Sequence, residues 1–205
     1  MRQPAGCQLI VMARWPAPGR CKRRLAGCLG PVAAARIQAR LTDHTLAVAR
    51  AGRRRLGFAL VLAVDGLAGR AARRWGEALG ADHVRLQGTG GLGVRMQRQI
   101  QRAFRAGARR VVVIGSDLPQ LDGDDLMAAF AALESSAAVL GPARDGGYWL
   151  LGLRQPQPAL MAGIAWGTPR VLAQTLTAMG RLALEPVLLA PRADLDWAKD
   201  LRPWR

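Results

Sequence analysis

The 205-residue sequence is poor in several residue types that would point to particular functions. It contains one tyrosine and three phenylalanines, so platforms for stacking nucleic-acid bases are scarce. Its three cysteines, Cys7, Cys21 and Cys28, lack the Cys-x-x-Cys spacing of a zinc site, and we expect free thiols. The longest apolar runs, 57–64 and 110–115, are far shorter than the ~20 residues of a membrane-spanning helix.

Positive charge is abundant and is carried almost entirely by arginine. The formal net charge is +16, and the only lysines are Lys22 and Lys199. Basic patches bind nucleic acids by neutralising phosphates. The arginines are scattered over several segments, however, which favours solvated helix faces over a single nucleic-acid groove. A non-catalytic nucleic-acid-binding protein therefore remains only an alternative hypothesis.

The N-terminal segment does not have the pattern of a secretory signal. A single Arg2 precedes the short apolar run 7–13, and no cleavage pattern follows. We therefore expect a cytoplasmic protein without a membrane partner. Half of the residues are hydrophobic and no long polar linker interrupts the chain, so residues 1–205 are predicted to form a single domain.

The hydrophobic pattern alternates between strands and helices. Strands are predicted at 7–13, 57–64, 83–87, 110–114, 137–140, 148–153 and 184–189. Helices are predicted at 31–51, 70–79, 94–106, 122–133 and 168–179, with a short terminal helix capped by Asp196. The β-branched run 110–114 is expected at the centre of the sheet. This alternation predicts an α/β fold whose mostly parallel sheet is covered on both faces.

The loop after the first predicted strand is rich in proline, glycine and cations. In open α/β sheets, ligands bind beyond the carboxyl ends of the strands. Loop 14–25 combines prolines and Gly19 with Arg20, Lys22 and Arg24, and these residues could hold a phosphate. The same basic residues could equally begin a solvated helix.

Two further loops carry carboxylates. Asp117 follows the predicted central strand and could bind a divalent cation that bridges phosphates, or it could cap the next turn. In loop 141–148, Gly146 and Gly147 would let the backbone approach a ligand, and Asp145 could act on a metal, a hydroxyl or a proton. A plain hairpin with Asp-Gly at its turn explains the same residues.

Five motifs, taken in order, resemble those of one family. They are Ala13-Arg14-x-Pro16-x-Pro18-Gly19-x-x-Lys22-x-Arg24-Leu25, Gly90-x-Leu92-Gly93-x-Arg95-Met96, Gly115-Ser116-Asp117-x-Pro119-x-Leu121, Gly141-Pro142-x-x-Asp145-Gly146-Gly147-Tyr148-x-Leu150-x-Gly152 and Trp166-x-Thr168. This set resembles the glycosyltransferase-like DUF2064 family, known as radical-SAM/selenodomain-associated or arsenosugar-biosynthesis transferases. That family is itself similar to molybdenum-cofactor and 2-phospholactate guanylyltransferases. The resemblance covers almost the whole chain.

The resemblance implies a three-layer, Rossmann-like GT-A fold with a mostly parallel mixed sheet. It also implies a transferase, and we favour transfer of a sugar from a nucleotide sugar to a small acceptor. The alternative is nucleotidyl transfer from a nucleoside triphosphate, as in guanylyltransferases. In either case, nucleotide phosphates are expected to bind Arg14, Gly19, Arg20, Lys22, Arg24 and Arg95. Arg95 joins this set because it begins a helix whose amide groups favour anions.

The remaining roles rest on the resemblance together with the positions of the residues themselves. Asp117 and Asp196 are the expected ligands of a divalent metal, Mg²⁺ or Mn²⁺. Asp145 and Lys22 are the expected catalytic residues. The acceptor is expected to bind against Gly146, Gly147 and Tyr148. On the helix after Arg95, a solvated stripe is expected from Arg98, Arg102 and Arg105.

The sequence departs from the family pattern at four places. The family usually has Thr at Arg23, Asp at Gly91 and an acidic residue at Val94, and it has Thr-Pro-Glu at 197–199. Positions 91 and 94 bear on the acceptor site.

Overall fold

The chain folds into a mixed seven-stranded sheet between two layers of helices. The computed structural model describes residues 6–198 and 200–201, so Arg2 and Lys199 lie outside the described residues. The strands are β1 (Cys7–Arg14), β2 (Ala59–Asp65), β3 (His83–Leu86), β4 (Arg110–Ile114), β5 (Ala138–Pro142), β6 (Tyr148–Leu153) and β7 (Pro186–Leu188). Their order across the sheet is β3-β2-β1-β4-β6-β5-β7. Strand β6 runs antiparallel to β4 and β5, and the other paired strands are parallel.

The helices divide between the two faces of the sheet. They are α1 (Arg23–Leu29), α2 (Pro31–Leu56), α3 (Gly69–Ala78), α4 (Leu92–Arg105), α5 (Gly123–Ser135) and α6 (Val171–Arg181), with a 3-10 helix at Pro158–Met161. Buried residues of α2, α3 and α5 pack on one face, and those of α4, α6 and the 3-10 helix pack on the other. The predicted three-layer fold with a mostly parallel mixed sheet is therefore confirmed.

Strand β4 occupies the middle of the sheet, as its β-branched sequence predicts. Alternate residues of a strand point to opposite faces. Val112 and Ile114 accordingly join the core beneath α2 and α5, whereas Val111 and Val113 join the core beneath α4 and α6. Because the strand is buried on both faces, the residues that follow it emerge at the centre of the carboxyl edge.

Two local features differ from the sequence prediction. Helix α1 and the 3-10 helix were not expected; α1 forms where Leu25 is buried in a small cluster that includes Leu195. The cap expected of Asp196 involves Lys199, which lies outside the described residues. The Asp200 carboxylate accepts hydrogen bonds from the backbone amides of Asp196 and Trp197, and the Asp196 carboxylate pairs with Lys22 and Arg24.

Within the described part of the chain, no helix combines the length and the hydropathy needed to cross a membrane.

Gly152 offers a direct test of the packing between β6 and α5. An added Cβ at this position would overlap Val139 Cγ1 and lie 3.0 Å from Leu133 Cδ1. Overpacking of a core typically costs about 1–3 kcal/mol. We expect Gly152→Ala to lower the free energy of unfolding by about that amount in urea denaturation.

Gly180→Ala is the matched control, because Gly180 lies in α6 with no atom within 4 Å of an added Cβ. Alanine is favoured over glycine in a helix by up to ~1 kcal/mol, so this variant should be unchanged or more stable. Equal destabilisation of both variants would contradict the packing assignment.

Candidate active site

Two adjoining cavities open along the carboxyl edge of the sheet. We call the first the cationic cavity; it has a volume of about 420 Å³ and is lined by Met12, Arg14, Cys21, Lys22, Arg23, Arg24, Gln38, Asp65, Gln87, Leu92, Arg95, Ser116, Asp117 and Asp196. We call the second the aromatic cavity; it has a volume of about 440 Å³ and is lined by Met12, Arg24, Leu92, Met96, Val113, Ile114, Gly115, Asp117, Leu118, Asp145, Gly147, Tyr148, Trp149, Trp166, Gly167, Thr168, Val171, Asp194 and Asp196. Asp117 and Asp196 line both, and therefore stand where the cavities meet.

A buried ammonium group joins these two carboxylates. Lys22 Nζ lies 3.0 Å from Asp117 Oδ1 and 3.1 Å from Asp196 Oδ1. The Lys22 side chain is 3% exposed, whereas Asp117 and Asp196 remain 46% and 36% exposed. Burial lowers the pKa of Lys22, but the two carboxylates outweigh burial and leave the pKa raised. Lys22 is therefore a cation at neutral pH, and both carboxylates keep a surface open to a ligand.

The backbone of Lys22 adopts an unusual conformation. Lys22 has φ 45° and ψ 49°, in the left-handed region that non-glycine residues rarely occupy. It directly precedes α1, whose Arg24 Nη1 lies 3.2 Å from Asp196 Oδ2. The turn into α1 thus brings two cations to the same aspartate.

Asp196 reaches the site because the C-terminal segment runs back along the sheet. The Arg192 backbone exchanges hydrogen bonds with Pro142 and Arg144, at 3.0 and 2.9 Å. The Leu195 amide donates to the Asp117 carbonyl at 3.1 Å. The Arg192 guanidinium also binds the buried Asp125 carboxylate at 2.8 Å. These contacts fix the segment from which Asp194 and Asp196 project.

Asp194 is a site residue that the sequence reasoning missed. It lines the aromatic cavity. Burial, followed by repulsion from Asp117 and Asp145, raises the pKa of Asp194 to about 7. The alternation Asp194-Leu195-Asp196 was the available signal, because an extended segment that buries the middle residue directs both neighbours to the opposite side.

A second network holds Arg14 and Arg95, two of the expected phosphate-binding residues. Arg14 Nε and Arg95 Nη1 lie 2.9 and 3.0 Å from Asp65 Oδ2. Burial raises the pKa of Asp65, but Arg14 and Arg95 outweigh burial and leave the pKa lowered. Gln87 Oε1 accepts a further hydrogen bond from Arg95 at 3.1 Å. Asp65 and Gln87, which end β2 and follow β3, were not identified from the sequence.

The expected phosphate-binding residues do not all line one cavity. Arg14, Lys22, Arg24 and Arg95 line the cationic cavity. Gly19 and Arg20 instead line a neighbouring cavity of about 430 Å³, which shares Arg14, Arg23 and Asp65 with the cationic cavity. The separation arises because 15–20 form tight turns, with Arg20 N donating to Ala17 O at 3.0 Å.

On α4, the expected solvated stripe is wrong for Arg98, whereas Arg102 and Arg105 are exposed as expected. Arg98 is half-buried and donates to the carbonyls of Gln87 and Thr89. Arg102 Nη1 donates to the Leu86 carbonyl at 3.3 Å. The backbone carbonyls at and just after the end of the edge strand β3 need hydrogen-bond donors, and Arg98 and Arg102 supply them.

The β5–β6 loop places Asp145, Gly147 and Tyr148 on the aromatic cavity. Asp145 is exposed, and its Oδ1 accepts a hydrogen bond from Gly147 N at 2.9 Å. Gly146 is not a lining residue of this cavity. It has φ 89°, and a Cβ there would overlap the Pro169 carbonyl. Gly146 therefore allows the loop to pack closely against the start of α6 and does not itself face the cavity.

The two aspartates that meet at Lys22 suit a hard divalent cation. Within residues 6–198 and 200–201, no three His, Cys, Asp or Glu side chains cluster as a metal site. Mg²⁺ characteristically binds one or two carboxylates, with substrate phosphates and water completing its oxygen ligands. Asp117 and Asp196 supply that donor set at the entrance to a cationic cavity.

The chain is similar to known proteins over most of its length. The model of a family described as "Uncharacterized protein conserved in bacteria (DUF2064)" matches residues 46–168. The chain belongs to the DUF2064 family. This DUF2064 protein is also 31% identical over 192 residues to phosphoenolpyruvate guanylyltransferase from Chloroflexus aggregans, covering 89% of this chain and 90% of the relative.

Solved structures agree with the fold. A candidate nucleotide-diphospho-sugar transferase from Desulfovibrio desulfuricans G20 is 32% identical with a TM-score of 0.84, covering 96% of this chain and 85% of that one. Rv0371C from Mycobacterium tuberculosis H37Rv, in complex with manganese, is 18% identical with a TM-score of 0.51, covering 97% of each chain. This last likeness shows the fold alone. The DUF2064 protein described here is a transferase with a GT-A-like fold.

Arg192 provides a test of how the C-terminal segment is held. Arg192→Gln removes the cation from Asp125, which is only 6% exposed. An unpaired buried hydrogen-bonding group costs about 1–3 kcal/mol, and we expect a loss of stability in this range.

Arg110→Gln is the control, because Arg110 pairs with Glu134, which is 70% exposed. Exposed ion pairs contribute ~0–1 kcal/mol. Chemical denaturation of both variants measures the difference. A loss for Arg192→Gln no larger than that for Arg110→Gln would show that the segment is held by its backbone contacts alone.

Proposed function

We propose that the protein transfers a nucleotidyl group from a nucleoside triphosphate to a small acceptor. The convergence of Asp117 and Asp196 on Lys22, where the two cavities meet, carries this proposal. A pair of carboxylates can share a divalent cation with a triphosphate, whereas glycosyl transfer needs no second metal-binding carboxylate. The guanylyltransferase relative supports the same choice. Nucleotidyl transfer, the alternative in the sequence analysis, thus becomes the main proposal.

The cationic cavity is the proposed donor site. Arg14, Lys22, Arg24 and Arg95 line it and would bind the phosphates of the triphosphate. Asp117 and Asp196 would hold Mg²⁺ or Mn²⁺, which would neutralise charge on the phosphates and orient them. The manganese complex of a distant structure with this fold is in keeping with such a site.

The acceptor is proposed to enter from the aromatic cavity. Its hydroxyl oxygen forms a bond to the α-phosphorus, while the bond from that phosphorus to the bridging oxygen breaks. Pyrophosphate leaves with the electron pair and is stabilised by Lys22 and the arginines of the donor site. The hydroxyl proton passes to the Asp145 carboxylate, which is exposed and can release it to water.

Glycosyl transfer is the second candidate. The Desulfovibrio structure, described as a candidate nucleotide-diphospho-sugar transferase, favours it. The same cations would then stabilise a departing nucleoside diphosphate. The two reactions differ in their released product, since nucleotidyl transfer forms pyrophosphate and glycosyl transfer forms a nucleoside diphosphate.

Cytoplasmic location, a single domain over residues 1–205 and the absence of a nucleic-acid partner remain proposals beside this function. They rest on the composition and the distribution of arginine.

Asp117→Asn tests the donor site directly. We expect GTP or CTP with Mn²⁺ to raise the melting temperature of the wild-type protein by mass action. The variant should lose the Mn²⁺-dependent part of this shift, because an amide oxygen is a weaker ligand than a carboxylate. Thermal-shift titrations with triphosphates and nucleotide sugars measure it, with the exposed Asp43→Asn on α2 as control.

An unchanged Mn²⁺-dependent shift in Asp117→Asn would refute its assignment as a metal ligand. Stabilisation by nucleotide sugars and not by triphosphates would replace nucleotidyl transfer with glycosyl transfer.

Lys22→Met is expected to raise the affinity for Mn²⁺ and to lower the affinity for nucleotide. Without nucleotide, Mn²⁺ should bind about tenfold more tightly or better, because the variant removes a cation that competes for both carboxylates. Nucleotide affinity should fall, because a phosphate-binding charge is lost. Calorimetric titration with Mn²⁺ alone and with GTP measures the two effects.

Arg23→Met is the matched control on the same turn, since Arg23 lines the cationic cavity and makes no ion pair among the described residues. Mn²⁺ affinity that is unchanged in Lys22→Met would show that Lys22 does not compete with the metal.

A further inference from the structure

The aromatic cavity differs from the cationic cavity in both charge and shape. We propose that its occupant is an uncharged, hydroxyl-bearing ring compound, such as a sugar or nucleoside, in place of a phosphorylated or carboxylated acceptor. The inference rests on the proposed nucleotidyl transfer and names the class of acceptor. It is drawn from the side chains that face the cavity.

Carboxyl groups outnumber cations on the walls of this cavity. The described residues lining it include four aspartates, Asp117, Asp145, Asp194 and Asp196, and a single cation, Arg24. Arg24 is already engaged, because its Nη1 lies 3.2 Å from Asp196 Oδ2. An acceptor phosphate would therefore meet like charges and find no unengaged lining cation, which costs binding energy.

The remaining cations of the site face the donor side. Arg14 and Arg95 both pair with Asp65 and line the cationic cavity but not the aromatic cavity. A divalent cation held by Asp117 and Asp196 would be balanced by those carboxylates and by the donor phosphates. Asp145 would then be the negative charge that faces the acceptor, with the Asp194 carboxyl group beside it on the cavity wall.

The apolar part of the wall is suited to a ring. Trp166 and Tyr148 pack edge to face, with ring centroids 6.2 Å apart. The Trp166 indole is held tightly against Gly93, where an added Cβ would overlap its Nε1. Aromatic rings bind the apolar face of a ring compound, while nearby carboxylates accept hydrogen bonds from its hydroxyl groups. Trp166 and Asp145 line the same cavity and together offer both kinds of contact.

The experiment compares ligand pairs that differ only in a phosphate. The donor cavity is first filled with Mn²⁺ and α,β-methylene GTP, which does not permit transfer, so that added anions cannot bind there. Ribose against ribose 5-phosphate, and glucose against glucose 6-phosphate, are then titrated by calorimetry, with phosphoenolpyruvate as a further anion. We expect each uncharged member to bind at least about tenfold more tightly than its partner, a difference of ~1.4 kcal/mol.

A charge variant and an aromatic variant assign the binding to this cavity. Asp145→Asn with Asp194→Asn should narrow the preference for uncharged ligands, because it removes the Asp145 charge and the Asp194 carboxyl group and keeps the side-chain volumes. Trp166→Leu should weaken the uncharged ligands without changing nucleotide binding, since Trp166 lines the aromatic cavity and not the cationic one.

Two outcomes overturn the inference. One is equal or tighter binding of phosphoenolpyruvate or a sugar phosphate, which would show an anion held through the metal. The other is the failure of every uncharged ligand to bind. All titrations are repeated without nucleotide. If the GTP analogue shows no Mn²⁺-dependent binding while the uncharged ligands keep their preference, the proposed donor chemistry fails and the assignment of the cavity stands.

Discussion

The buried ammonium of Lys22 is the contact on which the geometry of the site depends. It lies within ion-pair distance of one carboxylate after β4 and another near the C-terminus, 79 residues later in the chain. Without a cation between them, two carboxylates close enough to share one ammonium group would repel one another. The ammonium group of Lys22 therefore keeps the two carboxylates together. Loop 15–22 must return to the sheet for Lys22 to reach both carboxylates. Lys22 adopts a left-handed backbone conformation at this point.

The C-terminal segment completes the site because it is bound to two different elements. Its backbone pairs with Pro142 at the end of β5 and with Arg144 just after it, and Arg192 binds Asp125 in the first turn of α5. Asp125 also belongs to the capping box that begins this helix. The position of Asp196 is consequently linked to the start of α5, on the helix that packs beneath the central strands. The C-terminal segment is thus held in place by its contacts with elements at the centre of the fold.

Sequence patterns predicted the fold and the approximate position of the site, and failed where a partner lies far along the chain. The β-branched run 110–114 placed Asp117 correctly, because a strand buried on both faces must be central. The resemblance pointed to Asp196. Asp65 was missed, since nothing near it in sequence shows that Arg14 and Arg95 converge on it. Likewise, α1 depends on burial of Leu25 against the distant Leu195.

The reversed direction of β6 divides the site between two parts of the chain. Because β6 is antiparallel to β4, its first residue, Tyr148, lies at the carboxyl edge where the parallel strands end. The β5–β6 hairpin and the following Trp166 form one wall, whereas the donor arginines lie in or beside segments before β4. Substitutions or insertions in the hairpin can therefore change one wall without disturbing the other. Within a lineage of such proteins, the wall proposed to bind the acceptor could change while the half proposed to bind the nucleotide is inherited unchanged.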